Sequence, residues 1–128
     1  MPQSPALSGK VVLVVDDDDD IREVAVASLE LIGGFTVTTA TSGIEALNIA
    51  RESPPDAVLL DVMMPGVDGY ETARRLKADP ATAAVPVILL TARVGGDPAA
   101  DVAVGVIAKP FDPMNLAGQV RSILGWPS

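Results

Sequence analysis

Asp16, Asp17, Asp61, Thr91 and Lys109 are the residues of this 128-residue chain whose types and placement could carry chemistry, because each closes a run of apolar residues. Asp16 and Asp17 follow Val11-Val12-Leu13-Val14-Val15, and Asp61 follows Ala57-Val58-Leu59-Leu60. Thr91 ends the run from Val85, and Lys109 follows Val106-Ile107-Ala108. Brought to one place, three carboxylates repel one another and stay ionised together only beside a cation. Their oxygen-only donor set is hard and suits Mg²⁺ or Mn²⁺; Mg²⁺ typically binds through one or two carboxylates together with phosphate. The Thr91 hydroxyl and the Lys109 ammonium are then candidates to hold the oxygens of a transferred phosphoryl group. The set reads as metal-assisted phosphoryl transfer.

Composition removes the competing chemistries. Without cysteine there is no disulfide framework, thiolate nucleophile or cysteine zinc site, and without histidine the commonest metal ligand and general base are gone. A net charge of -8 repels phosphate backbones, so nucleic acid is not an expected partner of this domain. The chain is 48% hydrophobic but only 3% aromatic, so its core must be built from aliphatic side chains, as in packed parallel strands and helices. Its apolar runs are too short to span a bilayer and its start lacks the regions of a signal peptide, so no membrane association and a cytoplasmic location are expected.

A shared edge for the five residues requires a parallel sheet, and the chain supplies its parts in alternation. Strands are expected at Val11 to Val15, Phe35 to Ala40, Ala57 to Asp61, Val85 to Thr91 and Val106 to Ala108. The first helix places Ile21, Val24, Ala25, Ser28, Leu29 and Ile32 inward and ends at Gly33-Gly34. The second, from about Gly43 to Glu52, is inward at Ile44, Leu47 and Ala50; the third is inward at Tyr70, Ala73 and Leu76, with Arg74, Arg75 and Lys77 outward. Asp97-Pro98 opens a fourth helix that Gly105 must stop after barely two turns. Asp112-Pro113 opens the fifth, with Met114, Leu116, Val120, Ile123 and Leu124 apolar and Gly125 closing it. The expected fold is α/β: a five-stranded parallel sheet of order 2-1-3-4-5 flanked by five helices, with a crevice between strands one and three.

Val14-Val15-Asp16-Asp17, Leu60-Asp61-Val62-Met63-Met64-Pro65-Gly66-Val67-Asp68-Gly69, Leu90-Thr91-Ala92 and Ala108-Lys109-Pro110-Phe111 stand in that order at successive strand ends. Together they resemble the signature of receiver domains of two-component response regulators, of the chemotaxis-regulator type. The resemblance covers residues 10–125, leaving 1–9 as a loose leader and 126–128 as a tail. It implies a flavodoxin-like, doubly wound fold and a switch that catalyses only its own phosphorylation and dephosphorylation. Asp61 would be the phosphoacceptor for a sensor histidine kinase or histidine phosphotransfer protein, acting on a downstream protein target. Mg²⁺ would be bound by Asp17, Asp61 and the Met63 backbone carbonyl, with Asp16 acting largely through water. Thr91 and Lys109 would hold the acyl phosphate, the Lys109-Pro110 bond would be cis, and Met63 and Arg93 would flank the path of hydrolytic water.

Other readings compete for some of these residues. Asp18, Asp19 and Asp20 suit a helix start better than a metal site, and an EF-hand loop fails because Ile21 and Ala27 stand where Gly and Glu are needed. Asp68 suits the turn ending at Gly69. An aspartyl-nucleophile phosphatase would carry Asp-x-Asp, but Met63 occupies the second position. A non-phosphorylated interaction module is disfavoured by the complete acidic, Thr and Lys set but favoured by one departure from the family pattern: Val106 stands where receivers carry an aromatic residue, and valine has no ring to swing. The stretch from Thr91 to Lys109 is also short by roughly one helical turn. Phosphorylation is therefore expected to be signalled through the loop after strand four and a reshaped fourth helix.

Overall fold

The computed structural model of the protein describes residues 10–92 and 102–127. One sheet of five parallel strands runs through it in the order β2-β1-β3-β4-β5, as expected. The strands are β1 (Val11–Val15), β2 (Thr36–Ala40), β3 (Ala57–Asp61), β4 (Val87–Thr91) and β5 (Gly105–Ala108). Four α-helices connect and cover them: α1 (Asp19–Ala27), α2 (Gly43–Glu52), α3 (Gly69–Ala78) and α4 (Leu116–Leu124). That is four among the described residues where five were expected; Arg93 and the short helix expected from Asp97-Pro98 lie outside them.

Alternation along the strands splits the core into two layers, since successive side chains point to opposite faces. Leu13, Val15, Val58, Leu60 and Leu89 face α2 and α3, where they meet Ala46, Ala50, Ala73 and Leu76. Val12, Val14, Leu59, Ile88 and Leu90 face α1 and α4, where they meet Ala25, Leu29, Leu116 and Val120. Every residue of β3 and β4 is buried, which is why these strands are apolar throughout except for their last residues, Asp61 and Thr91. Each leucine so buried contributes about 1.5–3 kcal/mol.

Acidic and hydroxyl residues start the helices at the sheet's carboxyl edge. The Asp18 carboxylate caps α1 by accepting from the N–H groups of Asp20 and Ile21, while Asp19 and Asp20 sit at the positive end of the helix. Ser42 and Asp68 cap α2 and α3 in the same way through the N–H groups of Glu45 and Glu71. α1 passes into a π-helical turn, Ser28–Ile32, whose buried Ser28 donates to the Pro113 carbonyl ahead of α4.

The helix faces differ from expectation in one consistent way. Ile44, Val24 and Ile32, expected inward, are 49%, 42% and 45% exposed, and Met114 is 71% exposed. Ala46 and Ala117, both fully buried, join the expected Ala25 at the innermost positions, because small side chains let a helix lie close on the sheet. The strand limits also shift: Phe35, Val85 and Pro86 precede their strands, and Gly105 opens β5 rather than stopping a helix. α4 begins at Leu116, after a turn over residues 113–115 in which Asp112 accepts from the N–H of Met114 at 2.9 Å. Gly125 ends it in the left-handed conformation, φ 70°, that glycine adopts without steric cost.

Candidate functional site

The carboxyl ends of β1, β3, β4 and β5 deliver their next polar residues to one edge. Asp16 follows β1 directly, and its N–H continues the ladder to the Ala40 carbonyl at 3.2 Å. Asp61 is the last residue of β3 and lies beside Leu90 of β4. Both aspartates are buried, while Asp17 is exposed at the rim. One carboxylate oxygen from each of Asp16, Asp17 and Asp61 lies within 4.8 Å of the other two. This donor set of hard oxygens, two of them buried, fits a divalent cation such as Mg²⁺.

Lys109 reaches the cluster from the end of β5. Its Nζ stands 3.1 Å from Asp16 Oδ2 and 3.1 Å from Asp61 Oδ1, bridging the two buried carboxylates. Its backbone N–H donates to the carbonyl of Thr91 at 2.9 Å, so the ends of β4 and β5 are tied together. Thr91 itself is buried there. The Lys109-Pro110 peptide is cis, as the resemblance implied. The Met63 N–H donates to Asp61 Oδ1 at 3.2 Å while its side chain is exposed.

The charges set the titration of the site. Burial raises the Asp61 pKa above the ordinary carboxylate value; the Met63 N–H opposes this, the Asp16 charge adds to it, and Lys109 lowers it again. Burial also works against the charged form of Lys109, but hydrogen bonds and charge from Asp16 and Asp61 outweigh it and hold the ammonium above its usual pKa.

The loop after β3 is pressed against Asp61. A Cβ on Gly69 would fall 2.3 Å from the Asp61 carbonyl oxygen and 2.6 Å from Val62 Cα, so no larger residue fits there. A mostly apolar pocket of about 480 Å³ opens over Asp61 and Lys109, walled by Ile21, Val24, Met63, Ala92, Pro110 and Phe111. Val106 is 43% exposed on β5, beside Leu89.

The structure thus brings Asp16, Asp17, Asp61 and Lys109 together, sets Thr91 at the adjoining strand end, and joins Met63 through its backbone. One contact was not expected. Arg22 Nη1 donates to the Asp16 carbonyl at 2.9 Å, and Nη2 pairs with the Asp19 carboxylate. A signal for it existed, since Arg22 is the sole basic residue between Lys10 and Arg51 and falls within an acidic run.

A family model described as the response regulator receiver domain matches residues 12–121. The chain is 38% identical over 120 residues to the phosphate regulon transcriptional regulatory protein PhoB of Pseudomonas aeruginosa, covering 91% of this chain and 52% of that protein. It is 40% identical over 120 residues to the transcriptional regulatory protein CseB of Streptomyces coelicolor, covering 88% and 48%. The chain spans about half the length of the curated relatives it matches. Among solved structures, the chemotaxis response regulator CheY4 of Vibrio cholerae superposes with a TM-score of 0.84 at 29% identity, over 91% of this chain and 99% of that one. The matched span runs from β1 into α4 and takes in every strand end described above, and on that ground the chain belongs to the receiver domains of two-component response regulators, signalling domains that accept a phosphoryl group.

Proposed function

We propose that residues 10–125 form a receiver unit in which Asp61 is the phosphoacceptor. The observation that carries this is the bridge of Lys109 between Asp16 and Asp61 at the mouth of an apolar pocket. A carboxylate kept basic by burial is a better nucleophile than an exposed one. Its oxygen attacks the phosphorus of a phosphohistidine on a sensor kinase or phosphotransfer protein. The O–P bond forms as the P–N bond breaks, and the electron pair leaves on the imidazole nitrogen. The apolar walls Ile21, Val24 and Phe111 suit the departing ring.

Lys109 turns from the carboxylates to the phosphoryl charge, and the Thr91 hydroxyl donates to a phosphoryl oxygen. Mg²⁺ or Mn²⁺, held by the Asp17 and Asp61 carboxylates and the Met63 carbonyl with Asp16 acting largely through water, would offset the negative charge gathering on the phosphoryl oxygens. Water attack on phosphorus then frees phosphate and restores Asp61, with Met63 beside its path. The domain acts in the cytoplasm on a downstream protein target, and its charge of -8 sets it apart from nucleic acid.

Intact mass after incubation with Mg²⁺ and acetyl phosphate tests the reading. A gain of one phosphate that Asp61→Asn abolishes is expected. No gain in the parent protein would support the interaction module, and rapid multiple turnover of unrelated phosphoesters would support a phosphatase.

A further inference from the structure

We infer that Arg22 is a positioning residue that aims the Asp17 carboxylate at the metal site by fixing the peptide plane before it. Asp17 lies at the exposed rim, so the direction of its side chain depends on the two peptide planes that flank it. The plane joining Asp16 to Asp17 is held by Arg22, whose Nη1 donates to the Asp16 carbonyl at 2.9 Å. The plane joining Asp17 to Asp18 is held by the Asp18 N–H, which donates to Asp16 Oδ1 at 2.9 Å. Asp16 is itself anchored: fully buried, it also bonds Ala40 through its N–H and Lys109 through Oδ2. Arg22 in turn is oriented by Asp19, one turn back along α1. Its planar fork matches this task, since it can donate to a carbonyl and a carboxylate at once, which a lysine ammonium cannot do in the same geometry.

The guanidinium also brings a positive charge close to a cation site, and that sets the charge effect against the positioning effect. Removing the charge alone would strengthen Mg²⁺ binding. Releasing the peptide plane would weaken it, and residues that orient metal ligands commonly matter by about 10–100-fold.

The inference rests on the metal reading proposed above, and the test separates the two. Mg²⁺ affinity is measured by titration calorimetry on the unphosphorylated protein, its Asp17→Asn variant, Arg22→Ala and Arg22→Lys, with thermal midpoints recorded for each. Positioning predicts that Arg22→Ala raises the Kd about tenfold against the electrostatic trend. Arg22→Lys, which keeps the charge, should also bind more weakly than the parent, and both should keep an unchanged stoichiometry. An equal or lower Kd in Arg22→Ala, or a parental Kd in Arg22→Lys, overturns the inference and leaves the metal reading standing. If Asp17→Asn binds Mg²⁺ as the parent does, both fall. Should Arg22→Ala fail to fold, the charge-conserving Arg22→Lys decides the matter alone.

Discussion

The two edges of the sheet use cations in opposite ways. At the carboxyl edge, Asp16 and Asp61 are buried against each other and, among the described residues, Lys109 is the cation that bridges them. At the amino edge, cations rest on aromatic rings: Lys10 over Trp126 and Arg121 over Phe35, each 5.0 Å from the ring centroid, with the two rings edge to face. Arg121 also donates to the Gly33 carbonyl, locking α4 to the start of β2. One edge is a set of like charges that needs a counter-ion; the other is a closed contact that needs nothing. The same opposition appears in two aspartates. Burial raises the pKa of Asp61, whereas the Ala81 N–H and then Arg51 lower that of half-buried Asp79, after α3.

The sharpest way to break this contrast is Lys109→Met. Two buried carboxylates would lose their partner, and urea unfolding at pH 7 in chelator should show a loss of about 3–5 kcal/mol, with added Mg²⁺ returning part of it. A loss below about 1 kcal/mol would mean that the lysine is not what holds that edge. Trp126→Ala attacks the other edge. It should cost about 1–2 kcal/mol from the ring pair and the cation on it, while Mg²⁺ affinity and phosphate uptake stay at parental values.

Smaller effects should appear in the dependence of stability on pH, measured without divalent ions. The folded pKa of Asp61 lies above the unfolded value, so the folded state binds the proton more tightly and stability falls as pH rises between the two. Asp61→Asn removes that fall and should be the more stable protein at pH 7, with the advantage shrinking as pH drops from the raised folded value to the ordinary carboxylate value. Asp79 has the reverse sign: its contribution is present above the unfolded value and is lost as pH falls through the lowered folded one. Asp79→Asn should therefore be slightly less stable at pH 7 and equal to the parent in acid. Parallel slopes for the two variants would refute the contrast.

Much of the site was legible because the fold uses one rule for all of it. An apolar run that ends in Asp, Thr or Lys is a strand, and parallel strands end together, so Asp16, Asp61, Thr91 and Lys109 could be gathered before any geometry was known. The helices were less legible in detail. Hydrophobic periodicity favours large side chains: it pointed Ile44, Val24 and Ile32 inward and passed over Ala46 and Ala117, which are fully buried. Arg22 escaped for another reason. Its place as a lone base in an acidic run hints at the pairing with Asp19, but its other partner is a backbone carbonyl six residues earlier, and since every residue has such a carbonyl, residue types do not name that partner.

The chain has one tryptophan, and it stands at the amino edge beside Lys10 and Phe35. A five-residue strand separates it from the carboxylates by about 16 Å. Its ultraviolet emission is thus a gauge of one edge: it registers loosening of the C-terminus directly and is too remote to be quenched by what binds at Asp61. A change in that emission on adding a phosphodonor would have to travel along the strands, which makes the indole a built-in optical probe of whether the two edges communicate.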